Sequence, residues 1–487
     1  MIMSKRPLRR LAPLVAALWL VGCATVPDLD PSALPVAPAA YKETDGRWLN
    51  AETTPVPERG DWWTVFGDPV LDQLEARAAE RNNALQTAAA NLARARALAR
   101  SSEADRAPQI GLGAGVSREG GPLARESGRA GTVGNAGATL SYEVDLFGRL
   151  SEAARAAALD ADAQAALLDD ARLLVHGAVA QTYLAIRGLD AEHAVVRETV
   201  EAYRNTLTLT RQRFEAGDVA ELEVARVQTE LAANESDAFA LERQRSALEH
   251  ALAVLVGAAA SDFRLETLDW QARLPQVPAG LPSALLTRRP DVLASQRAVL
   301  AAQARVGVAQ AAWFPNIALT ANGGYASTDL DQLFTWSTRA WGIGALLSLP
   351  IFDGGRREAG VAAARADLDG ALSRYREQAL TAFRDVEDQL SALRLLAEQA
   401  DAQGRAVDSA RRATTLSEHR YENGLVSQLD LLDARRSELA NRRAALQVRS
   451  ARFQATVALV RALGGRWGAG ATAPSGLALA DAAIPMK

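Results

Sequence analysis

Four landmarks recur along this chain at one fixed spacing. Pro108 in APQIGL answers to Pro315 in FPNIAL, and Arg149 in LFGR answers to Arg356 in FDGGR. Gly217 in RFEAG answers to Gly424 in RYENG, and Gly257 in VLVG answers to Gly464 in RALG. Each pair is 207 residues apart. A constant offset means two copies of one structural unit with no net insertion between them, and it dominates any reading of the fold. Length alone, 487 residues, suggests about three ordinary domains, a prior that the repeat overrides.

The unit consists of a helical stretch, a β-hairpin and two very long helices. Pro69 to about Arg106 carries helical spacing, with Leu71, Leu74, Ala78 and Leu85 on one side. After Pro108 the period becomes two. Ile110, Leu112, Ala114 and Val116 alternate with Gly111, Gly113, Gly115 and Ser117, and Ala138 to Leu146 alternate with Thr139, Ser141, Glu143 and Asp145. In the second copy Ile317, Leu319, Ala321 and Tyr325 share one face, as do Trp341, Ile343, Ala345, Leu347, Leu349 and Ile351. Strands of about 9–11 residues, apolar on one side and polar on the other, match transmembrane β-barrel strands. A soluble amphipathic sheet is the alternative.

Residues 149–215 then read as one helix without proline, and Gly217 turns the chain into a return helix over 219–256. The return helix carries a coiled-coil seam of Val224, Val227, Leu231, Ala238, Leu241, Leu248, Leu252 and Leu255, interrupted only by Asn234 and Arg245. The second copy repeats this as helices 356–422 and 426–463 around Gly424. Helices of this length with one apolar seam must pack side by side. Scarce aromatics (5%) and abundant alanine suit such close helix–helix approach.

The N-terminus reads as an export signal. Lys5, Arg6, Arg9 and Arg10 precede an apolar stretch, Leu11 to Val21, too short to span a bilayer. It ends in Leu20-Val21-Gly22-Cys23, the pattern of a bacterial lipobox, in which the cysteine is acylated and becomes the first residue. The covalent lipid on Cys23 is the one cofactor expected. Ala24 rather than Asp follows, which directs a lipoprotein to the outer membrane. Cys23 is the only cysteine, so an intramolecular disulfide is impossible. Loss of residues 1–22 removes four basic groups and no acidic ones, leaving 50 against 58, a net charge of −8 that argues against nucleic acid as partner.

The domain reading is therefore a signal peptide (1–22), a Pro-rich lipid-anchored tether (23–60), a first repeat (61–257) with its hairpin at 108–147, a second repeat (258–464) with its hairpin at 315–352, and a C-terminal tail (465–487). Four strands cannot close inside lipid, where an open edge leaves backbone groups without partners and single-chain barrels start at eight. Several chains must pool their strands, or the strands are not in a membrane.

Asp61-Trp62-Trp63 with Phe66, Asn82 and Leu85, SYEVDLFGR (141–149), RRPDVLASQRAVLAAQARVGVAQAAWFPNIALT (288–320), LSLPIFDGGRR (347–357) and RYENGLVSQLDLLDARRSEL (420–439) carry a resemblance. They cover nearly the whole mature chain, which resembles the TolC-like outer-membrane factors, most closely their NodT-type efflux lipoproteins. The resemblance implies a mixed α+β membrane protein: a homotrimer whose three sets of four strands form a 12-stranded transmembrane β-barrel, continued by a long periplasmic α-helical barrel. It implies a passive duct for small molecules in the outer membrane, docked by a periplasmic adaptor and an inner-membrane pump of the resistance-nodulation-division type. Alternative cargoes are proteins of an ABC-driven type I secretion system, or heavy metals.

By the same resemblance, Arg213, Gly217, Arg420 and Gly424 at the hairpin tips meet the adaptor, and Leu429, Asp430 and Asp433 form the periplasmic gate. The blander readings are a left-handed glycine cap at each turn and a solvated acidic face at the aspartates. Repeat one has Glu223 and Arg226 where repeat two has Asp430 and Asp433, an asymmetry that favours a special role. Trp62 and Trp63 are expected to pack the tether on the helices. Leu333, Phe334 and Trp336 are candidates to plug or line the outer mouth, and Trp341 belongs to an aromatic girdle. No enzyme is expected. His176, His193, His250 and His419 lie far apart, without a His-Glu-x-x-His pattern or a cysteine partner, and GLGAGVS fails the dinucleotide fingerprint. A periplasmic coiled-coil protein is the remaining rival class.

Overall fold

The computed structural model describes residues 34–43, 61–119, 131–268, 273–275, 277 and 286–465. Cys23, most of the tether and the C-terminal tail lie outside the described residues. Seven α-helices and four strands are used below: α1 (Pro69–Arg81), α2 (Asn83–Ala104), β1 (Gln109–Glu119), β2 (Gly131–Val144), α3 (Arg149–Glu215), α4 (Glu221–Leu255), α5 (Pro290–Ala311), β3 (Asn316–Ser327), β4 (Arg339–Ser348), α6 (Arg356–Glu422) and α7 (Gln428–Ala462). Both ends of α2, α3 and α4 recur at an offset of 207 in α5, α6 and α7. The same offset links the left-handed glycines Gly148, Gly217 and Gly257 to Gly355, Gly424 and Gly464.

The stretch expected as one helix from Pro69 is two helices, broken at Asn82, which adopts extended backbone. Its side chain accepts from the Ala84 and Leu85 N–H groups at 2.9 and 3.2 Å, so it caps α2, and it donates to the Leu255 carbonyl at 2.8 Å. An asparagine that satisfies helix-end donors ends one helix and starts the next without glycine or proline.

The chain divides into two compact units. One holds Ala90–Ala165 and Ala294–Glu377, and its centre is an antiparallel sheet in the order β1-β2-β3-β4. Opposed residues in an antiparallel pair point to the same side, so the register defines the two faces. Ile110, Leu140, Ala321 and Ile343 form one row and Leu112, Ala138, Gly323 and Trp341 the next. The opposite face carries Thr139 beside Asn322, and Ser141 between Gln109 and Thr320. Ile110, Leu112, Trp341 and Ile343 are more than 70% exposed, so the described residues do not cover this apolar face.

The loop after β3 lies against the apolar face. A Cβ at Gly134, in that face, would meet the Leu330 and Leu333 side chains, and Phe334 packs edge-on to Tyr325 with ring centroids 5.6 Å apart. Leu333 and Phe334 therefore do not turn toward the polar side, which corrects the expectation that they plug or line a mouth. Trp336 lies beneath the Arg339 guanidinium. Where β2 gives way to α3, Asp145 accepts from the Leu150 and Ser151 N–H groups at 3.0 and 2.7 Å, and Arg149 grips Glu143 through both carboxylate oxygens. Asp353 does the same for α6, accepting from the Gly355 and Arg357 N–H groups.

The other unit holds Val36–Ala89, Ala166–Leu293 and the chain from Gln378 onward. Its core is the helix seam: Val227, Leu241 and Leu252 are buried, with Val224 and Leu231 packed beside them. The two polar interruptions are satisfied. Asn234 donates to the Glu230 carbonyl, and Arg245 reaches Asp190, Glu249 and the Leu265 carbonyl at 2.6, 2.5 and 2.7 Å. Arg245 and Arg187, which donates to the Glu266 carbonyl, pin the segment between the repeats onto the helices. In the RRPDV stretch Arg289 joins Asp291 to Asp385, and Gln378 donates to Asp291 at 2.6 Å. Trp62 is buried beside Trp63 and Phe66, and Trp63 stacks on His176 at 4.4 Å. These tryptophans pack on helices.

Candidate functional site: the helical-hairpin tips

Both hairpins turn through the same device. Gly217, at φ +83°, donates its N–H to Phe214 O at 2.9 Å, and Asp218 donates to Arg213 O at 2.8 Å. Gly424, at φ +70°, donates to Tyr421 O at 2.9 Å, and Leu425 donates to Arg420 O at 2.8 Å. This is the Schellman pattern, which satisfies carbonyls that a helix end leaves open. Arg213 and Arg420 thus contribute their carbonyls to the turns. A Cβ at either glycine would meet nothing within 4 Å, so glycine is required there by backbone conformation and not by crowding.

The second tip differs from the first just beyond the turn. Ser427 caps α7 in a reciprocal box: Asp430 N–H donates to Ser427 Oγ at 3.3 Å, and Ser427 N–H and Oγ–H both donate to Asp430 Oδ2, at 2.9 and 2.7 Å. These hydrogen bonds hold the Asp430 carboxyl below the usual carboxylate range, so it stays ionised. Asp433, one turn on, is exposed and pairs with Arg436 at 3.3 Å. Leu429 is also exposed. In repeat one Ala220 occupies the cap position with no side-chain hydrogen bond, and Glu223 instead pairs with Arg226 at 3.4 Å. Repeat two therefore presents two carboxylates, of which only Asp433 is paired with an arginine, and repeat one a neutral pair.

The hairpins are tied together near their tips. Arg213 Nη1 donates to Tyr421 Oη at 3.1 Å, with the guanidinium 5.8 Å from the ring centroid. Gln428 Nε2 donates to Thr210 Oγ1 at 3.0 Å, and Arg435 Nη1 donates to Thr206 Oγ1 at 2.8 Å while holding Glu418. Arg436 pairs with Glu230. Beneath these ties Tyr203, Leu207 and Val227 pack on Leu432 in a buried cluster. Sequence reasoning placed Tyr421 at the second tip without its tie to Arg213, and missed Ser427, Gln428 and Arg435. The cap was readable, since Ser427 stands three residues before the acidic Asp430 at a helix start. The cross-hairpin partners leave no such local signal.

Among the described residues no group of three or more histidine, cysteine or acidic side chains could hold a metal ion. None of the described helices is long and apolar enough to cross a membrane. The four-stranded sheet with one apolar face, carried by paired helical hairpins that end in matched turns, defines the class of outer-membrane efflux channels. The chain belongs to the outer membrane efflux protein family, whose pattern matches twice, over residues 74–258 and 281–465, again 207 residues apart. It is 32% identical over 463 residues to the probable efflux pump outer membrane protein TtgC of Pseudomonas putida, covering 93% of this chain and 94% of that one. It is 33% identical over 474 residues to the pyoverdine export outer membrane protein OpmQ of Pseudomonas aeruginosa, covering 94% and 97%. Among solved structures, the Campylobacter jejuni CmeC outer membrane channel superposes with a TM-score of 0.83 at 26% identity, covering 91% of this chain and 95% of that one. The protein is the outer-membrane channel component of a tripartite efflux pump for small molecules, a passive duct and not an enzyme.

Proposed function

We propose that three copies of this chain form one duct, anchored by acylated Cys23, whose periplasmic entrance is gated by Leu429, Asp430 and Asp433. The single observation that carries this reading is a sheet with two unpaired edges and an uncovered apolar face. In lipid those edges need partners. The repeat supplies them. In β2–β3 the paired residue numbers, such as Gly134 and Ser327, always total 461. Shifting one partner up and the other down by 207 leaves that total unchanged and pairs β4 with β1 of the next copy. Leu347 then faces Ala114 and Ala345 faces Val116, all in the apolar face, so the register closes without a break.

At the entrance, three copies bring six carboxylates together at Asp430 and Asp433, with each nearby Arg436 shared between Asp433 and Glu230. Charged rings of this kind select for cations and repel each other unless bridged. The tips around Arg213, Gly217, Arg420 and Gly424 meet a periplasmic adaptor, with Phe214, Leu222 and Leu425 as exposed apolar anchors. An inner-membrane proton-driven pump supplies the energy and selects the cargo, for which multidrug export is the expected outcome. Replacing Asp430 and Asp433 with Ala should raise single-channel conductance in planar bilayers. Unchanged conductance would rule out the aperture role.

A further inference from the structure

The apolar face of the sheet is not evenly filled. Small side chains at Ala114, Ala136, Ala138 and Gly323 leave a groove of about 490 Å³, with Leu112, Tyr325 and Phe334 around it. Sites for small ligands have volumes of about 300–1,000 Å³. Crowding does not explain the glycine at 323, since a Cβ there would meet nothing within 4 Å. Left-handed backbone does not explain it either, because Gly323 is not one of the positive-φ glycines. A surface against fluid hydrocarbon needs only to be apolar. A hollow in that surface gains dispersion contacts when a chain lies in it and forfeits them when none does.

The described strand residues on this face carry two charges, both positive. The register puts Arg339 in one row with Ala114, Ala136 and Tyr325, beside the groove. Arg118 continues the alternation of Leu112, Ala114 and Val116 along β1. Both arginines stand at the end of the sheet where each hairpin turns back, and α2, α3, α5 and α6 all join at the opposite end. Arg339 is held in place: its Nε donates to the Trp336 carbonyl at 2.9 Å, and its guanidinium lies over the Trp336 ring. Neither arginine has a carboxylate partner among the described residues.

Given the lipid-embedded barrel proposed above, we propose that this groove holds an acyl chain of the phosphorylated glycolipid of the outer leaflet, the chemistry of lipid A, with a phosphate on Arg339. A guanidinium stacked on an indole presents its remaining N–H groups as a planar fork that matches a phosphate. Arg118 adds a second positive charge at the same level of the membrane. With the helices in the periplasm, the hairpin end of the sheet lies in the outer leaflet. The lipid of that leaflet carries both phosphates and several acyl chains, whereas phospholipids fill the inner one. A neutral lipid would fill the groove and leave both arginines unmatched.

Native mass spectrometry of the full-length channel in mild detergent, titrated with purified lipid A, tests the site. Wild type should take up to one lipid A per chain. Arg339→Gln should bind it about tenfold more weakly, the loss of a charge-assisted hydrogen bond. Gly323→Leu, which fills the groove and meets no obstacle in the sheet, should bind it weakly too, and both variants should keep the wild-type oligomeric mass. Dephosphorylated lipid A should bind wild type no better than intact lipid A binds Arg339→Gln. Equal affinity of lipid A for all three proteins would overturn the proposal. So would phosphatidylglycerol that binds as tightly as lipid A with the same dependence on Arg339, since it would give the groove to a phospholipid. A wild-type channel that is monomeric and passes no ions would sink the barrel itself, and this site with it.

Discussion

Arg213 of the first hairpin lies over the Tyr421 ring of the second and donates to its hydroxyl at 3.1 Å, joining residues 208 apart in sequence at the two turns. Tyr421→Phe removes the hydrogen bond and keeps the ring, at a cost of about 1 kcal/mol. Tyr421→Ala removes the ring as well, adding about 0.5–1 kcal/mol for a cation–π contact at a partly exposed site. Hydrogen exchange of the tip amides should speed up in that order, with the sheet unaffected. Equal exchange in all three proteins would show that the contact holds nothing.

The turn glycines should separate into two classes. Gly217→Ala and Gly424→Ala meet no obstacle, so their cost is the left-handed backbone alone, roughly 1–2 kcal/mol. At Gly257 a Cβ would stand 2.5 Å from the Arg81 carbonyl oxygen, and at Gly464 it would stand 3.0 Å from that of Arg288. Overpacking against backbone adds roughly 1–3 kcal/mol. Thermal unfolding should rank Gly257→Ala below Gly217→Ala, and the reverse order would contradict the close approach.

Glu75 and His176 should make stability pH-dependent. Glu75 is fully buried, its Oε2 lies 2.7 Å from His176 Nδ1, and its Oε1 has no hydrogen-bond partner. Burial, with Asp72 nearby, pushes the carboxyl up to about 9, and burial pushes the imidazole down to about 4. The pair is thus neutral between these values, the carboxyl donating to the ring. The folded chain lacks a histidine proton that the unfolded chain binds below about 6.5, so stability rises with pH from about 4 to 6.5. It keeps a carboxyl proton that the unfolded chain loses above about 4.5, so stability falls with pH from there to about 9. The two slopes oppose each other up to about 6.5, and beyond it only the decline remains. Melting temperature should fall between these limits, and Glu75→Gln, which can still donate to the ring, should flatten the fall. An unchanged slope in that variant would place the proton elsewhere.

Much of this was legible in the residues because glycine and proline mark the ends of long, regular elements. Pro108, Pro315, Gly217 and Gly424 stand at changes of backbone state, and alternation within the strands assigned their faces before any register was known. The break at Asn82 was not legible, since its partners are the Leu255 carbonyl 173 residues away and two local N–H groups. The position of Leu333 and Phe334 was not legible either, because it depends on glycine at 134 in another strand. The spacing of Asp430 and Asp433 on one helix face was legible, but the Ser427 box that engages Asp430 was not. That box gives Asp430 a structural task whether or not the entrance is shut, and leaves Asp433 as the freer carboxylate, its Arg436 partner being shared with Glu230.

The most direct measurement is the mass and ion conductance of the full-length protein purified in detergent and placed in planar bilayers. Pooled strands predict a homotrimer that passes ions. A single chain that carries no current would contradict the account at its root.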